Sequence, residues 1–69
     1  MSDDTFNMSL RKFLKTVGVT SQQEIEAAVR AARDAGTLPK GPLQARMVLT
    51  LDGVDLTHEV TGTIDTGAA

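Results

Sequence analysis

The chain has 69 residues, a net charge of −2 at neutral pH and no cysteine. That length allows one small domain, able to bury only about 60% of the surface its unfolded form exposes. The lack of cysteine removes disulfides and thiolate metal sites, and one histidine does not make a zinc centre. With neither Trp nor Tyr there is no platform for stacking bases or sugars, and the slight negative charge gives no general pull toward nucleic acid.

No apolar run approaches the length of a membrane span, and the acidic start Met1-Ser2-Asp3-Asp4 lacks the apolar stretch of a secretory signal. A soluble cytoplasmic protein is the expectation.

Phe6, Leu10, Phe13, Leu14 and Val17 fall on one stripe at helical spacing and predict a first helix over about 4–17. Asp3 and Asp4 suit its positive end, and Gly18 is placed to cap its C-terminus in the left-handed conformation. Thr20 with Gln23, or Ser21 with Glu24, offers a capping box for a second helix over about 21–35. Ile25, Ala28, Val29 and Ala32 form its apolar stripe, Glu26 and Arg30 an i, i+4 pair, and Gly36 its end. The connection Gly18-Val19-Thr20 is too short for a linker, so the two helices are expected to fold back as one unit.

Pro39, Gly41 and Pro42 make 37–42 an ordered corner rather than a helix or a domain boundary. Beyond it the apolar period changes to two. Leu43, Ala45, Met47, Leu49 and Leu51 alternate with Gln44, Arg46, Val48 and Thr50. Val54, Leu56, His58, Val60 and Ile64 form the matching row of a second strand, and Thr57, Glu59, Thr61 and Thr63 its polar face. A two-residue turn at Asp52-Gly53 sets Leu51 against Val54, Leu49 against Leu56 and Met47 against His58.

The hairpin therefore spans about 43–65, and the tail 66–69 is expected to fray. Because an isolated hairpin is marginal, its apolar face is expected to lie on the helices. The expected architecture is one α+β domain over 1–69, with two helices packed on a two-stranded antiparallel hairpin (ααββ). Leu49 and Leu56 would close over the stripe headed by Phe6.

His58 is the first candidate for proton chemistry, but no nucleophile accompanies it. A flat, half-apolar filler at the edge of the core explains it better. Asp52, Asp55, Glu59 and Asp65 read as turn and outer-face charges that protect sheet edges, with no loop spacing for a hard cation. No glycine-rich phosphate loop is present, and no cofactor is expected.

Met8, Arg11, Lys12 and Lys15 share the helix face opposite the apolar stripe. A methionine ringed by cations is a candidate contact patch for an acidic partner, the acidic hairpin of a second copy being one. Ala27, Ala31 and Ala35 form a smooth flank that admits the close approach of another helix. The outline from Phe13 to Ile25, followed by a hairpin, is that of a winged helix-turn-helix. Its would-be recognition helix, however, begins Gln22-Gln23-Glu24, without the cations that phosphates need.

Residues 6–15 (Phe-Asn-Met-Ser-Leu-Arg-Lys-Phe-Leu-Lys), Val17 to Gln22, Glu24-Ile25-Glu26 and Ala28-Val29-Arg30 together resemble a family of short bacterial proteins of unknown function. The resemblance spans nearly the whole chain and is most specific over 6–30. It implies a free-standing bacterial protein and brings no activity, cofactor or site residue.

The functional expectation is a small non-enzymatic protein–protein interaction module, engaging an unidentified protein or a second copy of itself. The alternative is a nucleic-acid-binding or regulatory protein of winged helix-turn-helix outline.

Overall fold

The computed structural model describes residues 3–67, in the order α1 (Asp3–Ala35), β1 (Leu43–Thr50) and β2 (Thr57–Ile64). The class is α+β, as the change of apolar period requires. The chain divides after Leu38 into two units, one holding the helix and the other the hairpin.

Two helices were expected, and the chain forms one. α1 continues for 33 residues through Gly18-Val19-Thr20. Gly18 lacks the positive φ of a C-cap, a value found at Gly36 and Gly53. Thr20, instead of capping a new helix, donates its Oγ1 to the Thr16 carbonyl at 2.7 Å. Thr16 in turn donates to the Lys12 carbonyl at 3.1 Å. Such back-bonding to the preceding turn is how a hydroxyl is satisfied inside a helix.

The stop and start residues are present but only permissive. No proline lies between Asp3 and Ala35, so nothing forces the backbone out of the helix. The turn on which a helix-turn-helix outline depends is therefore absent.

The true end of α1 follows the expected chemistry. Gly36 takes φ 75°, its amide donates to the Arg33 carbonyl at 3.1 Å, and the Thr37 amide donates to the Ala32 carbonyl at 2.9 Å. These two bonds are a Schellman motif, which satisfies carbonyls left over by the last turn. Within the helix, Gln22 Nε2 donates to Glu26 Oε1 at 3.0 Å, an i, i+4 bond one turn before the expected Glu26–Arg30 pair.

In the hairpin the register is Leu43↔Ile64, Ala45↔Gly62, Met47↔Val60 and Leu49↔His58 on one face. Gln44↔Thr63, Arg46↔Thr61, Val48↔Glu59 and Thr50↔Thr57 make up the other. The expected pairing of Leu49 with Leu56 and Met47 with His58 is corrected by two residues. The cause is the turn.

Gly53 has φ 88° while Asp52 does not have a positive φ. The Val54 amide meets the Leu51 carbonyl at 3.4 Å. Positive φ at the second central residue alone is a type II arrangement, whose twist splays the strands, whereas type I′ needs it at both. Pairing thus starts only at Thr50 and Thr57, and Val54 and Leu56 lie in the connection rather than in β2. Because the slip is an even number, each side chain keeps its face. One row remains apolar apart from His58, and the other remains polar apart from Val48.

Neither unit contains the buried core that the sequence implies. No described residue is buried; Met47, Leu56 and Val60 are exposed, and Leu43, Ala45, Leu49 and Ile64 are half-covered. Of the expected frayed tail, the Gly67 amide donates to Asp65 Oδ1 at 2.9 Å, and residues 68 and 69 lie outside the described part.

Candidate interaction surface

An α-helix advances about 100° per residue, so residues three, four and seven apart share a face. Met8, Arg11, Lys12 and Lys15 have that spacing and stand together in the first half of α1, all exposed, with Met8 at 70%. The structure brings these four together. Thr16 and Thr20 direct their hydroxyl protons to backbone carbonyls.

The opposite face is the larger feature. Phe6 is 52% exposed, Leu10 42%, Phe13 50% and Leu14 50%. Val17, Ser21, Val29 and Ala32 are partly covered, and Ile25 is exposed. Because α1 is unbroken, the two stripes of the sequence merge into one. Leu10, Leu14, Val17, Ser21, Ile25, Ala28, Ala32 and Ala35 follow at an average step of about 3.6 residues, which keeps them in line along a straight helix.

Reading 4–17 and 21–35 as separate helices concealed this continuity. The signal that could have found it is phase: both stripes keep one 3.6-residue register across Gly18, which a turn would not require. Ser21 and Glu24 are the polar residues along this face.

In the hairpin the apolar row is Leu43, Ala45, Met47, Leu49, Val60 and Ile64. His58 is exposed, beside Leu49 in the penultimate pair, rather than filling a core edge beside Met47. Asp52 and Asp55 lie in the connection, Glu59 stands opposite Val48 on the polar face, and Asp65 accepts from Gly67. Among the described residues no three His, Asp or Glu side chains come together as a metal-binding group. What the arrangement offers chemically is contact: a long apolar helix face, a cation patch behind its first half, and a half-apolar hairpin.

A family model described as a family of unknown function (DUF6494) matches residues 1–67. The chain belongs to that family. The match covers both the helix and the hairpin, so membership attaches to the whole arrangement, including the part after Pro39 where the sequence resemblance is loose. No curated protein and no solved structure matches the chain. Among the described residues no helix is long and apolar enough to cross a membrane.

Proposed function

We propose that this member of the DUF6494 family is a small, non-enzymatic protein–protein interaction module acting in the cytoplasm. One observation carries the reading: its large apolar side chains stand in ordered rows that nothing in the described structure buries. Scattered exposed leucines are ordinary on any protein. A contiguous apolar face along a 33-residue helix marks a surface that works by being covered.

The cation patch of Met8, Arg11, Lys12 and Lys15 lies behind that face. It serves to orient an approaching acidic surface, in the way rim charges act on encounter rather than on final affinity. The hairpin, with both outer edges unpaired in its own two-stranded sheet, offers a second mode of contact by strand addition.

The test is a tagged capture from the source cell, with the wild-type chain beside Phe13→Glu. The reading expects a stoichiometric protein, a second copy or another chain, retained by the wild type and lost by the variant. A wild-type chain recovered alone, and monomeric at every concentration, refutes it. Retention on heparin that survives moderate salt would instead support nucleic-acid binding.

A further inference from the structure

We propose that Asp52-Gly53 is a self-modification site, at which Asp52 is converted to isoaspartate through a cyclic imide formed with the Gly53 nitrogen. The inference goes beyond the interaction reading and does not depend on it. The substrate is the chain itself, and the co-reactant is water.

The reaction joins Cγ of an aspartate to the backbone nitrogen of the next residue, so it turns on whether those two atoms can meet. Three features of the connection between β1 and β2 leave them free to do so. Gly53 has no Cβ to crowd its own nitrogen or stiffen its backbone. Asp52 and Gly53 are exposed and lie between Thr50 and Thr57, outside the paired strands. No hydrogen bond ties the Asp52 carboxylate or the Gly53 amide to another described residue. The nearest backbone bond, from the Val54 amide to the Leu51 carbonyl, spans the pair without holding either residue. Its length of 3.4 Å exceeds the usual limit of about 3.2 Å.

The other aspartates lack this combination. Asp3, Asp4 and Asp34 stand in α1, whose backbone angles are fixed. Asp55 precedes the branched Leu56 and Asp65 the β-branched Thr66. Asp65 Oδ1 also accepts from the Gly67 amide at 2.9 Å. Asp52 alone precedes a glycine.

With the carboxyl in its acid form, the Gly53 nitrogen attacks Cγ. The Cγ–N bond forms, the Cγ–OH bond breaks, and the hydroxyl leaves with the amide proton as water. Adjacent residues supply both groups, so the step is intramolecular and proceeds without a catalyst. Water then adds to one of the two imide carbonyls. Addition at Cγ breaks the new bond and restores aspartate. Addition at the original main-chain carbonyl breaks the old peptide bond, and the chain then runs through Cβ and Cγ. Charge is unchanged, while the backbone gains one carbon and the carboxylate moves onto Cα. Because the change falls in the connection, the pairs from Thr50↔Thr57 to Leu43↔Ile64 are expected to keep their register.

The unaltered chain is incubated warm at neutral pH in heavy-oxygen water, once folded and once in urea, then digested in ordinary water. Cleavage after Arg46 releases 47–69, which holds Asp52, Asp55 and Asp65. Tandem mass spectrometry locates the label, and an isoaspartyl methyltransferase with a labelled methyl donor measures the product. The proposal expects label and isoaspartate at position 52 and not at 55 or 65. It also expects a folded rate within about tenfold of the unfolded one, since no unfolding must come first. Asp52→Glu must close a larger ring with one more bond to fix, and is expected to react slower by on the order of tenfold or more. Asp52→Asn loses ammonia instead of water and is expected to react faster than the unaltered chain, gaining mass as its amide becomes an acid.

Label at Asp55 or Asp65 equal to that at Asp52 overturns the proposal, as does isoaspartate undiminished in Asp52→Glu. A folded rate lower than the tenfold bound, or an Asp52→Asn chain that keeps its mass, overturns it too, the turn then guarding the site. These outcomes leave the interaction reading where its own test puts it, because that test turns on Phe13.

Discussion

Replacing Gly18 by alanine separates one helix from two by the sign of its effect. A glycine inside an α-helix is less favourable than alanine by about 1 kcal/mol, through backbone entropy. In the structure Gly18 lies in mid-helix without a positive φ, and a Cβ built there meets nothing within 4 Å. Gly18→Ala is therefore expected to stabilise the helix by about 1 kcal/mol. Had Gly18 been a left-handed cap, the same exchange would destabilise by about 1–2 kcal/mol, because L side chains avoid that conformation.

The readout is amide hydrogen exchange across 17–22, where 1 kcal/mol corresponds to about fivefold slower exchange, with helix content by circular dichroism beside it. The effect is expected to be concentrated there, since Thr16, Val17, Gly18, Val19, Thr20 and Ser21 are all weak helix formers. Together they cost roughly 3–4 kcal/mol relative to alanine. Faster exchange and lower helix content in Gly18→Ala would refute the continuous helix.

Gly36→Ala is expected to destabilise the helix end by about 1 kcal/mol, seen as faster exchange of the Thr37 amide that now bonds the Ala32 carbonyl. Gly62→Val should strengthen the hairpin by about 0.5–1 kcal/mol, since it adds a β-branched side chain to the apolar row opposite Ala45, where a Cβ has open space. Cross-strand nuclear Overhauser effects that weaken in this variant would contradict the register. His58→Phe is expected to be neutral or stabilising by at most about 1 kcal/mol, through apolar cross-strand contact with Leu49. A clear fall in thermal midpoint would show a polar role for the imidazole.

The parts of the fold legible in the sequence are those where residue chemistry compels the backbone. Gly36 ends the helix because few other residues take φ 75°, and Pro39 and Pro42 keep helix and strand out of the corner. Strict alternation in 43–50 and 57–64 fixes which face each side chain takes, and it survives a two-residue slip.

Failures arose where the residues merely allow a feature. Gly18, Thr20 and Ser21 are suitable caps, yet the hydroxyls of Thr16 and Thr20 find acceptors inside the helix and remove the need to end it. Asp52-Gly53 suits a tight hairpin turn, but a positive φ at Gly53 alone lets the strands diverge to Thr50 and Thr57. Met8, Arg11, Lys12 and Lys15 were placed together because short-range helical spacing survives an error about where the helix ends. The long apolar stripe was not seen whole, because its length depends on that same error.

A helix this long needs support that its own sequence does not supply. Most helical stability in proteins comes from packing an amphipathic face. Here no residue of the face is buried and the weakest helix formers occupy its middle. Packing over that middle would fall on the turns that need it most.

On the interaction reading, helix formation and association are one equilibrium. A partner present at 100 times its Kd stabilises the bound form by about 2.7 kcal/mol, comparable with the propensity deficit of 16–21. Helix content is therefore expected to fall on hundredfold dilution through the Kd, with exchange protection lost first across 16–21. A helix that keeps its circular dichroism and its protection at dilutions where sedimentation shows monomer would break this link, since the order of α1 would then have another source.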